Sequence, residues 1–346
     1  METQDALTDV PGLRVGHAQR TKGGWLTGTT VVLAPEHGAV AAVDVRGGGP
    51  GTRETDALDP RNLVERIHAV VLTGGSAFGL DAAGGVMSWL EGQSRGIQVG
   101  PGPGQVVPVV PAAVLFDLGR GGRWQARPDA EMGWSAADAA GRTEPGAPVP
   151  QGCVGAGTGA VAGGIKGGIG SASTALASGS TVSALAAVNA AGSILDPATG
   201  ALYGELFGGL PRFPDEERHA EAQARLAEAR EKTAARTAGG ARPPLNTTLA
   251  VVATDAALTR PQAQKLAGTA HDGLARAVRP VHLMHDGDTV FALATSERDL
   301  VEGELNDLLA AGADVLTRAI VKAVHAAESV DGPGGVYPSY ADLYAP

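Results

Sequence analysis

Asn246-Thr247-Thr248 stands directly before an apolar, strand-like run, Leu249 to Ala253, and follows a charged, proline-tipped segment whose Pro243-Pro244 is separated from it by Leu245 alone. A paired-carboxylate turn, Asp286-Gly287-Asp288, follows downstream. Together these residues suggest a chain that cuts itself to make its nucleophile. A threonine hydroxyl needs an adjacent base before it can attack a carbonyl, and the α-amine of the same residue can be that base. A free α-amine has a pKa of roughly 7.7 to 8.0, so much of it is unprotonated near neutral pH and can take the hydroxyl proton. Liberating that amine requires cleavage of Asn246-Thr247. The Thr247 hydroxyl would attack the Asn246 carbonyl, the acyl group would shift from nitrogen to oxygen, and water would hydrolyse the ester.

Other residues offer chemistry around this pair. Lys166 is the only charge between Gly152 and Leu195. An ammonium in so apolar a stretch is costly unless paired, so it either reaches a carboxylate or faces a cleft, and the cleft is the preferred reading. Asn189, near the end of the strand-like run Thr181 to Ala191, is a candidate amide donor to an oxyanion, or else a turn cap. Ser76 lies at the entrance of a helix expected over Leu80 to Leu90, where capping is favoured over catalysis. Asp286 and Asp288 can be turn residues only, with Asp286-Gly287 closing a hairpin between Val281 to Leu283 and Thr289 to Ala294. His282, His285, Asp286 and Asp288 hold nitrogen and oxygen donors, but spacing within a tight hairpin works against convergence on an ion. No metal and no cofactor is assigned. Gly155-Ala156-Gly157-Thr158-Gly159 lacks the acidic residue that a dinucleotide site needs about twenty residues later, and Gly164 to Gly168 lacks the order of a phosphate loop.

The elements that must position these groups are those of a large mixed α/β chain. The 346 residues are 43% hydrophobic, enough for one big core or two smaller ones. With 51 Gly and 4% aromatics, close backbone approach outweighs aromatic packing. A formal charge of −10 excludes a phosphate-binding surface and hence a nucleic-acid partner. The acidic N-terminus has no secretory pattern and Gly152 to Leu195 is too poor in large apolar side chains to span a membrane. With one cysteine, Cys153, which reads as a small buried hydrophobe, the expectation is a cytoplasmic protein. Strands are expected at Gly12 to Gly16, Thr29 to Ala34, Val40 to Val45, Ile67 to Leu72 and Val106 to Leu118, the last broken by Pro108 and Pro111. Residues 212–245 read as a charged helix followed by a flexible Gly/Pro linker, which would let freed ends part. Helices are expected at Arg260 to Val278, with Pro261 early, and at Glu302 to Ala327. Tyr337, Tyr340 and Tyr344 form an aromatic tail that docks on its own core or on a neighbour.

In order, Gly12-Leu13-Arg14-Val15-Gly16-His17, Leu72-Thr73-Gly74-Gly75-Ser76-Ala77-Phe78-Gly79-Leu80, Lys166-Gly167-Gly168-Ile169-Gly170, Asn246-Thr247-Thr248 and Asp286-Gly287-Asp288 resemble the self-processing L-aminopeptidase/D-Ala-esterase/amidase (DmpA-like) family, which includes β-aminopeptidases and nylon-oligomer hydrolases. The resemblance implies one four-layer αββα sandwich over residues 1–346, similar to N-terminal-nucleophile hydrolases and shared with ornithine acetyltransferases. It implies an α-chain of residues 1–246, a β-chain of residues 247–346 and a homo-oligomer, a tetramer of αβ heterodimers. By position, Thr247 would be nucleophile and new N-terminus, Asp286 and Asp288 would tune its hydroxyl and amine, and Lys166 and Asn189 would line the site, with Asn189 binding the oxyanion. Phe116 stands where relatives place a tyrosine hydroxyl and, with Ser76, would face the substrate. Losing one oxyanion donor costs on the order of 3 kcal/mol of transition-state stabilisation, so another donor must substitute or turnover is slow. The expected activity is hydrolysis of small peptides or related amides through an acyl-Thr247 intermediate. An acyltransferase and a non-catalytic oligomeric scaffold are the alternatives.

Overall fold

Alternation along the strands of this protein builds three apolar layers. In Leu249–Ala256, Leu249, Val251 and Ala253 enter one core while Ala250 and Val252 enter another. Ala69–Thr73 does the same, sending Val70 and Leu72 inward to the core shared with Leu249 and Ala69 and Val71 outward to a third. A strand buried on both faces must lie in a sheet covered on both sides. The structure, a computed structural model, describes residues 3–209, 211–237 and 245–344.

The strands are β1 (Arg14–Arg20), β2 (Thr27–Leu33), β3 (Val40–Val45), β4 (Thr52–Arg53), β5 (Ala69–Thr73), β6 (Ala112–Val114), β7 (Ile169–Ala175), β8 (Thr181–Ala187), β9 (Leu249–Ala256) and β10 (Thr289–Arg298). They form two five-stranded sheets, ordered β1-β2-β5-β6-β4 and β7-β8-β9-β10-β3. Helices α1 (Ala82–Gly92) and α2 (Ala130–Gly141) cover the outer face of the first sheet. Helices α4 (Arg260–Ala277) and α5 (Glu304–His325) cover that of the second, and α3 (Glu216–Arg236) packs on the C-terminal segment. This is the expected αββα sandwich. Glycine sets its tightness: a methyl at Gly16 would collide with the backbone of Ala136 and Ala140 in α2, and one at Gly170 with Ala319 and Ala323 in α5.

The expected hairpin does not form, because Val281 to Leu283 is not a strand and both edges of β10 are taken by other strands. β10 runs parallel to β9, with Leu249 opposite Thr289, and antiparallel to β3. Parallel neighbours need a crossover, and α4 provides it, capped by the Thr259 side chain with reciprocal bonding to Gln262. Asp286 is thereby taken from a hairpin turn and bridged in parallel to Asn246. The expected strand Val106 to Leu118 divides at its prolines into Val106–Val107 and β6. Of the charged segment, α3 is present, while the linker Gly239 to Pro244 lies outside the described residues. Tyr337, Tyr340 and Tyr344 are buried in their own chain, Tyr340 and Tyr344 with ring centroids 4.9 Å apart. Among the described residues, no helix is long and apolar enough to cross a membrane.

Candidate active site

Thr247 sits two residues before β9, at the end of the sandwich where β8 and β3 terminate, because Ala187 pairs with Leu249 and Val45 with Thr289. The turns that follow β5 and β6 reach the same place. Ser76, Phe116, Asn246, Thr247 and His285 line a small cavity of about 120 Å³ there.

Thr247 is buried, and both its amide and its hydroxyl are hydrogen-bonded. Its amide donates to the carbonyl of Asn189 at 2.6 Å. Its hydroxyl donates to the carbonyl of Asn246 at 2.6 Å. The amide of Gly287 donates both to Thr247 Oγ1 (3.1 Å) and to the Asn246 carbonyl (3.2 Å). Hydroxyl and amide therefore converge on the one carbonyl that precedes Thr247. A side chain at position 287 would disturb this, since a Cβ there would lie 2.7 Å from Thr247 Oγ1 and 2.9 Å from the Gly49 carbonyl.

The paired carboxylates fasten the surrounding backbone and bond to neither the hydroxyl nor the amide of Thr247. Asp288 Oδ1 accepts the Thr248 amide at 2.8 Å, and Oδ2 accepts from His282, through Nδ1 (2.8 Å) and the main-chain amide (3.2 Å). Asp286 accepts the amides of Ala191 (3.3 Å) and Leu283 (3.1 Å). Burial, with the nearby Asp288 charge, raises the Asp286 pKa above the usual carboxylate value. His282 is committed to Asp288 and held at φ +59°, a left-handed conformation rare outside glycine.

Asn189 is fully buried and meets Thr247 through its main-chain carbonyl. Its side-chain Oδ1 accepts from Arg120 Nη1 (2.5 Å) and the Val161 amide (3.0 Å), and Nδ2 turns to the Phe116 carbonyl at 3.4 Å. Arg120 escaped the sequence reading. Its guanidinium also donates to the Gly159 carbonyl at 2.6 Å and to Asn246 Oδ1 at 2.8 Å, clamping the two asparagines together. The available signal was an arginine set between Gly119 and Gly121, four residues beyond the Phe116 wall.

Lys166 does not face the cleft. It is fully buried, and Nζ donates to the carbonyls of Gly157 (2.9 Å) and Gly167 (2.7 Å). Among the described residues no carboxylate lies within ion-pair distance of it, so main-chain oxygens exposed by glycine replace both expected partners. Burial pulls its pKa down to about 8. Nearby Asp117, which accepts the Gly75 amide at 2.7 Å, is pushed by burial up to about 6. Ser76 does not cap its helix. Gly75 is the cap residue, Ser76 sits at φ +52° in the first turn of a 3-10 helix, and the strained turn presents it to the cavity. Phe116 also borders the cavity, its ring edge-on to Trp124 at 6.3 Å.

The sequence profile described as Peptidase family S58 matches residues 5–337. A protein named as an uncharacterized aminopeptidase of Mycobacterium tuberculosis (strain ATCC 25618 / H37Rv) is 46% identical over 364 aligned positions, covering 98% of each chain. A 6-aminohexanoate-oligomer endohydrolase of Kocuria sp. (strain KY2) is 31% identical, covering 84% of this chain and 75% of its own. Among solved structures, the L-aminopeptidase D-Ala-esterase/amidase of Ochrobactrum anthropi, described as a variant of the Ntn hydrolase fold, superposes with a TM-score of 0.72 at 19% identity, over 97% of this chain and 91% of that one. That last likeness is one of fold.

Proposed function

Because the chain belongs to peptidase family S58 and is a hydrolase, we propose that it cuts itself between Asn246 and Thr247 and then hydrolyses small peptides or related amides through an acyl ester on Thr247. The observation that carries this reading is the convergence of the Thr247 hydroxyl and the Gly287 amide on the Asn246 carbonyl.

In maturation Thr247 Oγ1 attacks the Asn246 carbonyl carbon, and the negative charge that develops on the carbonyl oxygen falls on the Gly287 N–H. The carbon–nitrogen bond breaks, the hydroxyl proton passes to the leaving amine, and water hydrolyses the ester to leave a carboxylate on Asn246. The freed α-amine keeps the Asn189 carbonyl as its acceptor, so the nitrogen is already oriented when it becomes the base. Asp286 and Asp288 act as positioning residues that fix the main chain on either side of the nucleophile. In turnover a substrate amide replaces the Asn246 peptide: Thr247 Oγ1 forms the ester, the substrate's amine leaves with the proton, and water releases the acid. Residues 1–246 and 247–346 stay in one folded unit after the cut, because β9 and β10 of the second segment pair with β8 and β3 of the first.

Intact-mass spectrometry on wild type and Thr247→Ala tests this. Wild type alone is expected to divide between Asn246 and Thr247. If both remain whole across pH and long incubation, self-cleavage and the Thr247 nucleophile are lost together.

A further inference from the structure

A second cavity, of about 450 Å³, opens on the other side of Asn246 and is lined by Arg120, Arg230, Val161, Ser193 and Tyr337, with Asn246 in its wall. Its described lining contains two guanidinium groups and neither Asp nor Glu. Arg120 Nη1 is committed to Gly159 and Asn189, whereas Nη2 is held by the Asn246 side chain at 2.8 Å. Arg230 reaches the cavity from α3, anchored to the Gly163 carbonyl at 2.9 Å. Ser193 spends its hydroxyl on the Leu195 carbonyl and Tyr337 on that of Gly334, so the polar character of the cavity rests on the two arginines.

The ester formed in maturation and the acyl-enzyme formed in turnover are the same functional group on the same oxygen. The position of Asn246 therefore marks where the acyl residue of a substrate lies. Its amide donates to the His285 carbonyl at 3.2 Å, an acceptor equally able to take the free amine of an N-terminal residue. Once Asn246 has been cut away, Arg120 Nη2 has lost its acceptor, and a buried charged donor without a partner is unfavourable. We infer that Arg120, reinforced by Arg230, forms a subsite for an oxygen acceptor on the substrate's N-terminal side chain, a carboxylate first and a carboxamide second, of aspartyl or asparaginyl size. This rests on the acyl-Thr247 reading above.

The p-nitroanilides of L-aspartate, L-asparagine and L-leucine carry side chains of nearly the same shape and test it on wild type whose cleavage has been confirmed by mass. The aspartyl and asparaginyl compounds are expected to exceed the leucyl one in kcat/KM by about tenfold or more, because a hydrogen-bonding subsite rejects an apolar isostere. In Arg120→Met that ratio collapses. In Arg230→Met the aspartyl advantage over asparaginyl shrinks. Ratios taken within one preparation cancel the matured fraction, so a slowly cutting variant still reports. A cut wild type that prefers leucine, or that hydrolyses none of the three while cleaving other amides, overturns the subsite and leaves the acyl-Thr247 reading intact. A ratio unchanged in Arg120→Met also overturns it. A chain that never cuts overturns both.

Discussion

Two buried polar clusters, joined through Arg120, show opposite uses of burial. Around Thr247 a hydroxyl and an amide are aimed at a single peptide carbonyl, and most of the restraint comes from main-chain groups. Around Lys166 the titratable groups are more conspicuous, an ammonium held near pKa 8 and the Asp117 carboxyl near 6, yet their partners are walls: the carbonyls of Gly157 and Gly167 and the amide of Gly75. A perturbed pKa marks desolvation, and desolvation serves structure as readily as chemistry. What distinguishes the first cluster is that its donors converge on a bond that can break.

If the comparison is right, substitutions in the first cluster should stop cleavage and those in the second should not. The largest effect is expected from Gly287→Ala, whose methyl would press on Thr247 Oγ1 and the Gly49 carbonyl. A displacement of that size costs about 100-fold in a reaction that depends on near-attack geometry. The appearance of cut chains over time, followed by mass, measures it, and cutting at the wild-type rate would break the assignment of Gly287. Asp288→Asn is next. One side-chain oxygen cannot accept from both Thr248 and His282, and the lost hydrogen bond should slow cutting about tenfold. Unchanged kinetics would mean that the Thr248 backbone does not need this anchor.

Much of the scaffold was legible because local pattern and tertiary context agree there. Val40–Val45 is a short run rich in valine and is a strand with those bounds, and Thr259-Arg260-Pro261-Gln262 carries a cap, a proline and a capping partner at the start of α4. Asn246, Thr247 and the Asp286–Asp288 turn could be grouped by type, and the structure does bring them together. The failures occur where a distant element decides. Asp286-Gly287 has the local chemistry of a hairpin turn, but β9, α4 and β10 form a strand–helix–strand crossover that needs β10 parallel to β9. Ser76 has a capping side chain, but the Leu115 carbonyl holds its amide and the turn is set by Gly75 at φ +82°. Lys166 looked as though it required an acid or a cleft, because no periodicity shows that two glycine carbonyls close over it. Arg120 stands far in sequence from both asparagines it binds, and only the closed sandwich reveals the clamp.

The second cluster is tested by the smaller effects on cleavage. Lys166→Met should leave the cutting rate within about twofold while costing about 2 kcal/mol of stability, since two buried carbonyls lose their donor. The pKa of Lys166 lies below its unfolded value, so the native state sheds its proton first and wild-type stability gains as pH rises from about 8 toward 10.5. That gain should be absent from the variant in thermal melts, and a large fall in cutting rate would return Lys166 to the reaction.

Asp117→Asn should change cleavage least of all, because an amide oxygen can still accept the Gly75 N–H and hold the Ser76 turn. Its signature belongs in the pH dependence of stability. The folded pKa, about 6, exceeds the ordinary carboxylate value of 3.8, so the native state binds a proton that the unfolded chain has released. Wild type therefore loses stability from this group as pH rises from about 4 to 6, and above that window it carries a desolvated carboxylate. Asp286 is shifted in the same direction, so the wild-type curve alone does not isolate Asp117. The difference between wild type and Asp117→Asn does: wild type should fall relative to the variant by on the order of 2 kcal/mol between pH 4 and pH 7. A flat difference would mean that the carboxylate is ionised at little cost, through Arg120 and Lys166. Loss of cutting in Asp117→Asn would show instead that the wall cluster takes part in the chemistry, and the contrast between the two regions would fail at its most sensitive point.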